Sequence, residues 1–236
     1  MTTSQEPHHR NATNSHSIDR STSAYRWEIG FFLCASTLLV IQVLLFYHDI
    51  NSLANGRVAV AVYAAVESFV VRRLAYLTMP AIYIPLFCLL FCARPPAWMR
   101  LYLDIVGGCI IFRMITQLIG LNILLFDFTT SRFLLITQLI FFLPYTLLLW
   151  GWIYWRLDSF ARLRGRPQFR LDCDREIPRP VDYFVASFSS VFSASISAIK
   201  GNSARARMLI IIHGIVIYDV MVLTLSRALA LVQSRP

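Results

Sequence analysis

Five apolar runs, each near the length of a membrane-crossing helix, occupy most of this chain: Gly30–Phe46, Leu74–Cys92, Leu101–Phe126, Phe133–Trp155 and Met208–Leu231. Crossing a hydrocarbon layer takes about 20 mostly apolar residues. In lipid every backbone polar group must be satisfied inside the segment, so runs of this kind are read as helices. What remains of the 236 residues holds no stretch able to build a soluble core, the longest polar one being the N-terminal residues 1–28. Composition agrees. The chain is 57% hydrophobic and 15% charged, where soluble domains run near 45–50% and about 25%, and its mean hydropathy is +0.58. A soluble enzyme, a nucleic-acid-binding domain and a disulfide scaffold are excluded. The expectation is an all-α, multi-pass integral membrane protein of a cell or inner membrane, with the lipid bilayer as a partner and no nucleic acid.

Residues 1–28 are rich in Ser, Thr, His and Asn and read as a disordered polar tail. Residues 29–127 then carry the N-terminal transmembrane helices, and 128–236 form a second module of helix, Arg-rich loop, short apolar segment and last helix. Within Asn51–Arg73, the residues Ser52, Arg57, Glu67, Arg72 and Arg73 interrupt an Ala/Val-rich helical pattern. That stretch reads as an interfacial helix or as an extension of the following span. The count is five spans, or six if Arg57–Val71 also crosses. Trp98, Trp150, Trp152 and Trp155 fall near span ends, as in an aromatic belt. Cys34, Cys88, Cys92 and Cys109 lie within apolar runs and read as small buried hydrophobes. Only Cys173 is in a loop, so no loop disulfide is expected.

Charge bears on the orientation, which stays open between five and six spans. Of 22 Lys and Arg, 21 are Arg, and the formal net charge is +9. The loop Arg156–Pro180 holds seven Arg and four acids. With five spans it shares a side with the N-terminus and with Lys200–Arg207, and the positive-inside rule makes that side cytoplasmic. An Arg-rich loop there also suits lipid head groups or a partner protein.

Between the fourth and fifth runs lies an apolar segment too short to cross. Asp182–Val191 is an amphiphilic stretch of about ten residues, and Phe192–Ala198 has no helical pattern. Non-helical backbone at membrane depth survives only when buried in protein or lining a wet cavity. A half-helix followed by such a stretch, between two full spans, is the plan of a re-entrant pore loop.

Asp182–Leu209 resembles the pore region of the potassium-channel superfamily and aligns with it without gaps. Phe188-Ser189-Ser190 falls where those proteins have an aromatic-Thr-Thr end to the pore helix. Ser193, Ala194, Ser195, Ile196 and Ser197 fall on the Thr-Val-Gly-Tyr-Gly filter, and Arg207-Met208-Leu209 on the start of the inner helix. A similar layout occurs in uncharacterised bacterial membrane proteins with a degenerate filter. The resemblance implies a homotetramer around the last helix, with ions as ligands. Ser195 and Ser197 occupy both glycine positions, where a residue with a Cβ costs about 1–3 kcal/mol. That removes the potassium-type filter and implies, at most, weakly selective conduction. The alternative is a non-conducting membrane scaffold or accessory subunit.

Four polar residues are expected at membrane depth: Arg113, Gln117, His213 and Asp219. Such residues are costly unless paired or hydrated. The simplest arrangement pairs Arg113 with Asp219, and the sharper one makes Asp219 pore-lining. His213 reads as an interfacial residue near a helix end, or as a proton-sensitive one. No paired carboxylates, His-rich box, Gly-x-Ser-x-Gly or glycine-rich phosphate loop occurs, so no enzyme, catalytic residue, metal or cofactor is expected.

Overall fold

The computed structural model describes residues 26–42, 44–45, 58–70, 73, 75–92, 96–125, 132–162, 164–173, 175, 177–192 and 198–233. Among them are seven helices: α1 (26–42), α2 (Val58–Phe69), α3 (Ala75–Phe91), α4 (Met99–Leu125), α5 (Arg132–Arg162), α6 (Pro180–Phe192) and α7 (Ala204–Gln233). Two three-residue strands, β1 (Phe169–Leu171) and β2 (Ile199–Gly201), pair antiparallel. Three helices are long and apolar enough to cross a membrane, over Met99–Leu124, Ile136–Arg162 and Ala204–Ser226. Pro80 and Pro85 lie inside α3 and Pro144 inside α5.

Side-chain contacts fix the sense of each helix. Along α1 and α5, Glu28 meets Trp152 and Arg156, and Gln42 meets Gln138, so the two run antiparallel. Along α4 and α5, Asp104 bonds Arg156 and the Ile110 carbonyl accepts from Tyr145, again antiparallel. Tyr63 of α2 packs on Gly120, Glu67 bonds Arg113, and Tyr102 donates to the Ile82 carbonyl of α3. As numbers rise along α2 and α3 they fall along α4, so α2 and α3 lie end to end beside it. The starts of α1, α4 and α7 therefore share a face with the ends of α3 and α5; this is called the loop face below.

Small residues let aromatic rings close these contacts. A Cβ on Gly107 would sit 2.2 Å from the Trp152 ring. Trp152 in turn stacks on Phe31 at 6.0 Å and meets Phe32 edge-on at 5.1 Å. Trp150, Trp152 and Trp155 are thus buried in the core, while Trp98 is exposed. The aromatic-belt expectation is corrected for those three, because α5 is covered by α1 and α4 around Trp152 and by α7 at Trp150. The cysteine expectation is corrected too: Cys34, Cys88, Cys92 and Cys109 are exposed, on faces turned away from neighbouring helices.

Two boundaries also differ from the sequence reading. Helix α1 takes in Arg26–Glu28, which the sequence reading gives to the tail, because Glu28 finds partners on α5. Helix α7 begins at Ala204, about one turn before the apolar run, because Ser203 caps it: its hydroxyl accepts from the Ala206 amide at 3.1 Å.

Candidate functional site

At the loop face one carboxylate gathers three elements. Asp158 precedes Arg162 by four residues in the last turns of α5, where helical spacing puts the two side by side. It is 0% exposed. It accepts from Arg162 Nε at 2.5 Å, from the backbone amides of Gln168 at 2.7 Å and Phe169 at 2.9 Å, and from the Tyr183 hydroxyl. Helix α5, strand β1 and helix α6 are thereby joined at one atom pair. The chain reaches β1 through Gly165, whose φ of 69° suits a residue without a Cβ and closes the end of α5. Helix α6 starts with Pro180 in its first turn, and Asp182 Oδ2 accepts from the Arg179 amide at 2.6 Å.

From that anchor α6 runs back along α5. Tyr183 lies at Asp158, Phe184 against Gly151, and Ser187 Oγ donates to the Leu147 carbonyl at 2.8 Å. A Cβ on Gly151 would stand 2.5 Å from Phe184 Cδ1 and 2.9 Å from its Cα. After Phe192 the filter-like residues Ser193, Ala194, Ser195, Ile196 and Ser197 lie outside the described residues. The chain resumes at Ala198, whose carbonyl accepts from the Asp172 amide at 3.1 Å, and β2 then pairs with β1. Both flanks of α6 are thus at the loop face.

The polar residues expected at depth are partnered differently from the sequence reading. Arg113 pairs with Glu67, its Nη1 2.7 and 2.8 Å from the two carboxylate oxygens, and not with Asp219. The reason is the stripe Val60, Tyr63, Ala64 and Glu67 on α2, which turns Glu67 toward α4. Tyr63 adds a hydrogen bond to Glu67 Oε1 at 3.1 Å. Asp219 accepts from Asn122 Nδ2 at 3.0 Å. Gln117 donates to Gln42 Oε1 at 2.7 Å, and Gln42 donates to Gln138, linking α4, α1 and α5.

His213 is fully buried and not interfacial, since the earlier start of α7 sets it more than two turns inside the helix. Its Nδ1 is 3.0 Å from the Tyr154 hydroxyl and its ring stacks on Trp150 at 4.7 Å. Its Nε2 and the nearby Trp150 Nε1 are buried without a hydrogen-bond partner among the described residues.

A further cluster lies at the mouth of α1, where Glu28 meets Arg156 at 3.4 Å and Trp152 Nε1 at 3.1 Å, and Arg156 also bonds Asp104. Burial holds the Glu28 carboxyl above the ordinary carboxylate value, outweighing the pull of Arg156 in the other direction.

Sequence reasoning missed Asp158, Tyr183, Tyr154, Glu28 and Gln42 as partners. The i,i+4 spacing of Asp158 and Arg162 was the one local signal available; the others meet residues distant in sequence. Comparisons with protein-family models, curated proteins and solved structures find no match.

Proposed function

We propose that this chain is a five-span integral membrane protein in which α6 is a re-entrant, pore-loop-like half-helix, and that it acts as an ion-channel-like protein assembled as a tetramer around α7. The carrying observation is the path of α6. It starts at the loop face beside Asp158, runs antiparallel to α5 past Leu147, and its chain is back at that face by β2. The 13 residues of α6 rise about 20 Å at 1.5 Å per residue, about two-thirds of a 30 Å hydrocarbon layer. Five crossings follow if α2 and α3, end to end along α4, make one passage.

The loop face carries Arg26, Arg100, Arg156, Arg162, Arg170, Lys200 and Arg207, which favours placing it in the cytoplasm. The half-helix then enters from the cytoplasmic side, opposite to potassium channels, so the likeness is one of plan and not of direction. With Ser195 and Ser197 in place of two glycines, the conduction expected is weakly selective. Asp219, half-buried on α7, is the acid available to ions along the last helix.

Native mass in lipid nanodiscs tests the reading, because each chain supplies a quarter of a pore. A tetramer that conducts in planar bilayers is the expected result, and a monomer overturns it. A second reading, a non-conducting scaffold or accessory subunit, is favoured by the anchoring of α6 on its own α5 through Tyr183, Phe184 and Ser187, which needs no neighbouring chain. A monomer would leave that reading in place.

A further inference from the structure

Strands β1 and β2 place two cations directly across from each other. Arg170 and Lys200 are register partners, and both side chains lie on the exposed face, opposite the buried Phe169 and Ile199. Cβ atoms at such positions are about 4.5–5.5 Å apart, and like charges there are destabilising. Neither has an ion-pair partner among the described residues. The same two residues line a half-open cleft of about 570 Å³, together with Arg162, Arg175 and Asn202. Asp172 is the one described acid in its wall. Arg162 is partly neutralised by Asp158, and Arg175 lies 3.9 Å from Asp182. Among the described residues Arg170 and Lys200 are therefore the charges left for a ligand.

We propose that this cleft binds the phosphate headgroup of an anionic phospholipid. An anion seated between Arg170 and Lys200 relieves the repulsion that their register imposes, and the guanidinium groups supply forked donors that fit phosphate oxygens. The depth selects a lipid. The cleft is bounded by Arg162, the last residue of α5, and by the residues leading into α7 at Ala204. Those are the ends of two helices of membrane-crossing length, the level at which headgroups lie. Phe160 is exposed about half a turn below, with Arg164 over its ring at 4.4 Å, as an interfacial pair would be. The proposal rests on the membrane placement of α5 and α7 and not on conduction.

The test uses the full chain in nanodiscs of phosphatidylcholine with and without phosphatidylglycerol, reading bound lipid by native mass. The double variant R170Q/K200Q is compared with R166Q/R205Q, which removes equal charge from exposed positions outside the cleft wall. Retained phosphatidylglycerol should fall about fivefold per cation removed, about thirtyfold for R170Q/K200Q, and little for R166Q/R205Q. In pure phosphatidylcholine R170Q/K200Q should melt at or above the wild type, since the repulsion is gone. Equal losses in both double variants, or no preference for phosphatidylglycerol in the wild type, would overturn the site. Glycerol 3-phosphate binding from solution as tightly as the lipid would assign the cleft to a soluble phosphate and overturn the lipid assignment. A chain that stays soluble without detergent or lipid would instead refute the membrane placement itself.

Discussion

Asp158 is the residue on which α6 hangs, and removing it gives the sharpest prediction. Asp158→Ala leaves the Gln168 and Phe169 amides and the Tyr183 hydroxyl without their acceptor, and strips Arg162 of its partner. Each buried donor left unsatisfied costs about 1–3 kcal/mol. The Arg162 side chain is 28% exposed and can turn to water, so its share is small. The three neutral donors set the cost, about 3–9 kcal/mol. For a chain of this size that lowers the melting temperature by about 6 °C or more, at about 2–4 °C per kcal/mol. Asp158→Asn keeps an oxygen for the two amides, loses the charge, and should cost about 1–2 kcal/mol. The assay is a fluorescence melt in detergent, paired with hydrogen exchange over residues 168–172 and 199–203. Exchange should rise there in the alanine variant while α4 keeps its protection. Equal melting of the two variants, or unchanged exchange in that region, would refute the claim that Asp158 joins these elements.

Gly151→Ala should cost about 2 kcal/mol, because the new Cβ meets the Phe184 backbone as well as its ring and α6 must shift; a melt unchanged within error would show that α6 packs elsewhere. Glu67→Leu or Arg113→Leu alone should cost about 3–5 kcal/mol by stranding the partner charge, whereas the double replacement should be close to neutral; additive losses in a double-mutant cycle would contradict the pair. Glu28 gives a pH dependence with a definite sign. Its carboxyl is held above the ordinary value, so its stabilising contribution is present below that value and is lost as pH rises through the raised one. The melting temperature of Glu28→Gln relative to wild type should therefore climb as pH rises above the ordinary carboxylate range, and a flat difference would mean that Arg156 outweighs burial.

Much of the helical plan is legible in the sequence because apolar runs of span length have few other uses. The half-length of Asp182–Val191 is legible for the same reason, and α6 occupies Pro180–Phe192. Partner choice is not legible. Arg113 has two acids within reach of a plausible bundle, Glu67 and Asp219, and only the face that α2 presents to α4 decides between them. Trp150, Trp152 and Trp155 read as interfacial by position, yet the room left by Gly107 and the cover given by α1 draw Trp152 into the core. Asp158 reads as one more charge in an Arg-rich loop, because these three donors to it come from residues ten and more positions away. Strands of three residues, β1 and β2, leave no alternating pattern long enough to detect.

The most direct test of the re-entrant path is the sidedness of the two flanks of α6. Single cysteines at Ile177→Cys and Asn202→Cys, both exposed positions, are placed in a chain otherwise free of cysteine and probed in sealed vesicles with an impermeant maleimide. Labelling of both from the same face is the predicted result. Labelling from opposite faces would mean that α6 crosses the membrane, and the pore-loop account would fall.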